Sequence, residues 1–282
     1  MFELLRLLLD TIQLRPYVFV FLLVYIAAGA AHLGWRRTFL FLPVGYAIAW
    51  ASEFSSIHWG FPYGDYYYIP ETVGRELWVY GVPFMDSLSY VFLAYCSYAT
   101  ALFILSPLSF AGGRILILET RALRRSTRTL LLAAFLFVFL DIIIDPVALQ
   151  GHRWFLGQIY GYRHEGLYFG IPMSNFGGWL LVGLVMVSVL QRLDYLDVLE
   201  SKSLRFYHRL PGVTLLGPLL YLSILLFNLT ITFWIGERLL GLVGSLWTLL
   251  LVLFTVLHTR RQYERLTPEH VEQHMRDFPL SH

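Results

Sequence analysis

Thr129-Leu130-Leu131-Leu132-Ala133-Ala134-Phe135-Leu136-Phe137-Val138-Phe139-Leu140-Asp141-Ile142-Ile143-Ile144-Asp145-Pro146-Val147-Ala148-Leu149 is an apolar run broken by two aspartates. About 20 apolar residues suffice for a helix to cross a bilayer core, so the run predicts a membrane span. An ionisable group at that depth costs at least about 2.5 to 3.5 kcal/mol on insertion scales, and such a group marks a functional site by default. One segment therefore gives both the class of fold and a place to look for chemistry.

Working outward, similar runs occur at about 16–34, 38–57, 83–105, 176–195, 213–235 and 238–258. They predict an all-α, polytopic integral membrane protein with about seven transmembrane helices in a single domain, 1–282. Composition agrees: the 282 residues are 57% hydrophobic, 17% aromatic and only 14% charged, too little polar surface for a soluble globule. Only Gly236, Glu237 and Arg238 separate the last two runs, which implies a tight helical hairpin. Residues 1–15 are too short to span and are expected to lie at the interface as an amphipathic segment. The first apolar run lacks the small-residue pattern of a cleavable signal peptide. Cys96, the single cysteine, excludes an intrachain disulfide and a thiolate metal cluster. The net charge of +2 gives no footprint for nucleic acid, so the bilayer is the expected partner. Oligomeric state is not legible.

Basic residues set orientation. With the N-terminus outside, 15 of the 21 Lys and Arg fall on the inner side: Arg36 and Arg37, then Arg114 to Arg128, then Arg192, Lys202, Arg205 and Arg209, then the tail 259–282. The loops at 58–82 and 150–172 are then expected outside and the tail in the cytoplasm, in a multi-pass protein of the cell membrane. The basic connector 106–128 reads as a headgroup-binding loop. His270 and His274 have the i, i+4 spacing of a metal pair, but a solvated helix face is the simpler reading.

Two stretches resemble each other. Glu53 is followed by an aromatic loop and then Gly81-Val82-Pro83-Phe84-Met85-Asp86; Asp141 and Asp145 are followed by a similar loop and then Gly170-Ile171-Pro172-Met173-Ser174-Asn175. Asp86 and Asn175 occupy the same place. This predicts a parallel internal repeat of spans two and three with spans four and five, forming a core at 38–195. Pro83 and Pro172 fit first helical turns, where a missing N–H costs nothing.

Helix electrostatics sort the acids. Glu53 and Asp145 sit toward C-terminal helix ends, where an anion is disfavoured; Asp86 sits at an N-terminal end, where an anion is favoured. Acids pushed apart in this way suit a proton donor facing a base. The loops supply Asp65 and a surplus of rings, among them Trp59, Tyr66, Trp154 and Tyr168, more than an interfacial belt requires. Desolvated rings attract a cation by about 0.5 to 2 kcal/mol each. There is no Gly-x-Gly-x-x-Gly turn for a nicotinamide or flavin, and no clustered histidine boxes of a membrane di-iron oxygenase. Asp141-Ile142-Ile143-Ile144-Asp145 is similar to one magnesium motif of membrane prenyltransferases, without the aspartate-rich partner motif. Acid–base chemistry without a cofactor is what remains.

Taken in order, Glu53, Trp59-Gly60-Phe61-Pro62-Tyr63-Gly64-Asp65-Tyr66, Gly81-Val82-Pro83, Asp141 to Asp145-Pro146, Trp154, and Tyr168 through Asn175 to Trp179 resemble the CruF-type membrane carotenoid hydratases. That family includes γ-carotene 1′-hydratases and bisanhydrobacterioruberin hydratases, and the likeness covers about residues 38–190. It implies addition of water to the terminal double bond of an acyclic carotenoid. The expected acids are then Glu53, Asp86, Asp141, Asp145 and Asp65. The expected substrate-binding groups are Trp59, Tyr66, Trp154, Tyr168, Asn175 and Trp179. A membrane prenyltransferase and a non-catalytic carotenoid or lipid carrier are the alternatives.

Overall fold

The computed structural model describes residues 2–111, 114–195 and 213–278. The helices are α1 (Phe2–Leu14), α2 (Pro16–His32), α3 (Trp35–Trp59), α4 (Phe84–Leu105), the short α5 (Arg121–Arg124), α6 (Thr127–Ala148), α7 (Met173–Leu193), α8 (Leu216–Trp234), α9 (Arg238–Glu264) and α10 (Pro268–Asp277). Six of them are long and apolar enough to cross a membrane, or up to seven spans if α1 and α2, bent by 94° at Arg15, count as one. This is the polytopic helical fold that the apolar runs predict. α9 runs on to Glu264, past the expected end near 258, because its last turn is polar and leaves the apolar pattern while continuing the helix.

α4 is buried on nearly every side and packs against α2, α3, α6, α7 and α8. Close approach of helices depends on small residues, since lipid tails offer no hydrophobic drive toward association. On α7 a Cβ at Gly183 would sit 2.8 Å from Phe137 Cδ1 of α6. The outer face of α9 keeps Leu239, Leu242, Leu246, Leu249 and Leu253 exposed, a surface suited to hydrocarbon.

Three two-stranded ribbons supplement the helices. β2 (Trp78–Val79) pairs with β3 (Val82–Pro83). In the connector expected to be a headgroup-binding loop, β4 (Leu108–Ala111) pairs antiparallel with β5 (Arg114–Ile117). The third ribbon joins the two repeat-like loops: β1 (Tyr66–Tyr68) runs antiparallel to β6 (Tyr160–Tyr162), with Tyr66 opposite Tyr162 and Tyr68 opposite Tyr160. Both loops therefore lie at one end of the helices.

The two stretches also share backbone conformation. Tyr80 (φ 50) and Gly81 (φ 83) turn through the left-handed region before Val82-Pro83, and Phe169 (φ 49) and Gly170 (φ 87) do the same before Ile171-Pro172. In each copy the proline stands at the N-cap, one position ahead of the first helical turn, so Asp86 and Asn175 are each third in their helices.

The elbow at Arg15 straps this end. Arg15 is only 1% exposed, and its guanidinium donates to Glu76 at 3.1 and 3.2 Å and to the Leu156 carbonyl, one partner in each loop. Thr11 accepts from the Leu77 N–H at 2.8 Å. Arg153 pairs with Glu237 of the α8–α9 hairpin at the same end.

At the opposite end the basic segments gather. Arg124 donates to Glu119 at 2.7 Å and to Asp194 at 3.3 Å, Arg125 donates to Asp194 at 3.0 Å, and His32 meets Glu119 at 3.0 Å. Burial works against the Glu119 anion, but His32 and Arg124 outweigh it and hold its carboxyl well below the ordinary range. His274, expected on a solvated face, is buried, and its Nδ1 lies 2.7 Å from the Glu119 carbonyl. Its helix docks there through Asp277 as well, which accepts from the Arg121 N–H at 2.9 Å. Lys202, Arg205 and Arg209 lie outside the described residues.

Candidate active site

Between the ribbon β1–β6 and the helix ends is a polar chamber with about 340 Å³ of empty space, counted to its open mouth. Glu53, Asp86 and Asp145 line it, with Asn175, Trp179 and a set of tyrosines. Its walls come from both copies. Gly178 on α7 lets the first loop press against the second copy, because a Cβ there would meet Tyr63 Cδ1 at 2.5 Å and the Pro62 carbonyl at 2.7 Å.

In the first copy Glu53 hangs from α3 into the first turn of α4, where it accepts from Ser87 Oγ at 2.6 Å. Tyr68 and Tyr90 line the same chamber as its carboxyl. Asp86, one residue before Ser87, accepts from Tyr68 at 2.6 Å. In the second copy the depth of Glu53 is taken by Asp141 of α6, which accepts from Asn175 Nδ2 at 2.8 Å. That same amide nitrogen donates to Asp145 at 3.0 Å. Asp145 also accepts from Tyr162 at 2.6 Å and from Tyr160. Three donors thus converge on one carboxyl, the arrangement an anion calls for.

Burial first, then the neighbouring Asp145, pushes the Tyr160 and Tyr162 phenols well above their ordinary range. For Tyr68, burial first and then Asp86 and Glu53 act the same way. These phenols remain protonated and serve as donors. Asp141 is 0% exposed, and its Oδ1 has no hydrogen-bond partner. No ion pair reaches Glu53, Asp86, Asp141 or Asp145 among the described residues. Also among the described residues, no three His, Cys, Asp or Glu groups are placed to hold a metal.

Rings complete the enclosure. Trp179 stacks on Tyr90 with centroids 4.6 Å apart and meets Phe137 at 4.7 Å, while Tyr66 faces Tyr68, Tyr160 and Tyr162 at 5.4 to 6.2 Å.

Of the residues expected from sequence, Glu53, Asp86, Asp145, Tyr66, Asn175 and Trp179 meet at the chamber, and Asp141 stands one hydrogen bond behind it. Trp154 is held elsewhere, by an Nε1 hydrogen bond to the Val147 carbonyl at 3.0 Å, and lines a neighbouring apolar cavity. Trp59, Asp65 and Tyr168 do not line the chamber. Gly60 ends α3 in the left-handed conformation (φ 71), leaving Trp59 73% exposed. Strand alternation turns Tyr66 and Tyr68 inward and Tyr67 outward, and Asp65 keeps the outward phase. Tyr168 packs on Phe169 and Phe176 instead. Sequence reasoning counted Tyr68, Tyr160 and Tyr162 only as rings and missed them as donors; the period-two spacing in each Tyr-x-Tyr was the available signal.

Residues 12–253 match the sequence profile of the family described as carotenoid biosynthesis protein. No curated protein and no solved structure matches the chain.

Proposed function

The chain belongs to the carotenoid biosynthesis protein family, and from that premise we propose that it is a carotenoid hydratase, a hydro-lyase that adds water across the terminal C1,2 double bond of an acyclic end group. The observation that carries this reading is a cluster of buried carboxyls whose partners are phenols, a hydroxyl and an amide, with no ion pair to them among the described residues. Such groups can give up and take back protons. A carrier of carotenoid would need none of them.

Glu53 is the proton donor in this account. Its O–H proton passes to the less substituted alkene carbon, the π electrons form the new C–H bond, and a tertiary cation remains. Tyr66, Tyr90 and Trp179 shelter that cation, and the Asp145 carboxylate lowers its energy in a site poor in water. A water held at Asp86 attacks; its oxygen forms the C–O bond and its proton goes to Asp86. Tyr68, bonded to Asp86 at 2.6 Å, takes up that proton as it passes its own to Glu53 across the same chamber. The sum is one water consumed, with every protein group restored and no cofactor required. Asn175 fixes Asp141 and Asp145 relative to each other.

The same reading places the aromatic loops outside the cell membrane and the tail in the cytoplasm, on the strength of the basic residues. A single cysteine at position 265 should resist a membrane-impermeant label applied from outside; strong labelling there would reverse the orientation.

The reaction is tested by expression in cells that make lycopene and related acyclic carotenoids. Mass spectrometry should find product heavier by one water. Unchanged carotenoid at normal levels of folded protein would overturn the assignment.

A further inference from the structure

A second cavity, with about 630 Å³ of empty space out to its mouth, is lined by Asp86 but not by Glu53. α2, α4, α6, α8 and the second loop build it, and its walls are apolar almost throughout. Tyr17 stacks on Phe227 with centroids 5.3 Å apart and tilts against Trp154 at 6.3 Å, which lines one wall with flat ring faces. The short side chains of Ala148 and Ser89 also line it.

Two residues belong to both cavities: Asp86 and Tyr160. Asp86 is held by Tyr68 of the polar chamber, and Tyr160 by Asp145. The partition between an apolar compartment and an acid-lined one is therefore itself made of the acid machinery. No other carboxyl of the chamber faces the apolar side.

Building on the hydratase reading, we infer that the apolar cavity holds the isoprenoid chain and delivers its end past Asp86 and Tyr160 into the polar chamber, while water reaches the same point from the chamber side. The two reactants thus approach from opposite compartments. Flat rings suit a conjugated chain, which can lie against Tyr17, Phe227 and Trp154 with its hydrogens toward their faces. The polar chamber is the smaller of the two, so it accepts only the end of the chain. A site arranged in this way keeps bulk water off the polyene and confines the cation to where Asp145 can stabilise it.

The test separates binding from turnover. Full-length protein purified in detergent is loaded with all-trans lycopene, and pigment retained per folded protein is read by absorbance after size exclusion. Wild type and Glu53→Gln should retain lycopene alike, because Glu53 lies outside the apolar cavity. Ala148→Phe, which fills that cavity, should lower retention at least tenfold; Ile224→Trp, filling it from α8, should do the same and serves if the first variant does not fold. Wild-type-like retention in a folded plugged variant, or no retention by wild type, would overturn the inference. Hydration that continues in a plugged variant removes this cavity from the account and leaves the hydratase reading standing. Lycopene that binds, is lost on plugging, yet never gains water does the reverse.

Discussion

Two groups of carboxyls in the molecule are buried in opposite ways. At the basic end Glu119 and Asp194 each meet arginine, within 2.7 and 3.0 Å of a guanidinium nitrogen. At the chamber end Glu53, Asp86, Asp141 and Asp145 meet only tyrosine, serine and asparagine. A buried carboxyl beside a guanidinium is fixed as an ion and contributes to structure. One surrounded by neutral donors keeps two protonation states within reach, which is what acid–base catalysis needs. Burial alone would not have separated scaffold from site; the partners do.

The largest effect should come from breaking the basic end. Arg124→Ala leaves Glu119 and Asp194 buried with less compensation, at a cost of about 3 to 5 kcal/mol, so folded yield in detergent should drop while each surviving molecule turns over normally. The pH response has a definite sign. Because His32 and Arg124 depress Glu119 in the folded protein, its contribution is present above the ordinary carboxyl value of 4.5 and is lost as pH falls through the depressed value. Thermal melts of wild type should therefore weaken in acid more than those of Glu119→Gln. Equal acid sensitivity would undo the ionic reading of that end.

At the chamber the pattern should invert. Glu53→Gln keeps size and polarity but removes the acidic proton, so turnover per molecule should fall by about 10² or more with folded yield and carotenoid binding kept. A loss of folded protein with near-normal turnover would return Glu53 to the scaffold and pass the role of donor to Asp141 or Asp145. Asp86→Asn should have a smaller effect, at the low end of the about 10² to 10⁴ that general acid–base help supplies, through the lost base for water. Stability should be retained, because the second copy already carries an amide, Asn175, at the same place in its helix. Kinetics and melting of that variant side by side would expose any structural role.

The helices were legible because each span is a local pattern. The run at 129–149 became Thr127–Ala148, and that at 83–105 became Phe84–Leu105. Two long-range features of the site were not. Pairing of β1 with β6 joins segments far apart in the chain, and nothing local to Tyr68 or Tyr160 announces it. Arg15 stands just before the first apolar run in the sequence, and its burial between both loops depends on partners 61 and 141 residues away. Asp65 and Trp59 stood beside the right residues but on the wrong face, since a glycine stop and strand alternation decide direction over distances shorter than a composition argument resolves. The acids, by contrast, were found at once, because apolar helices make any carboxyl conspicuous.

The central claim is that the chamber adds water by proton transfer alone. Purified protein, treated exhaustively with chelator, should convert an acyclic carotenoid in ¹⁸O-labelled water to a tertiary alcohol carrying the label. Label arriving from O₂ instead, or activity abolished by chelation and restored by magnesium, would contradict it.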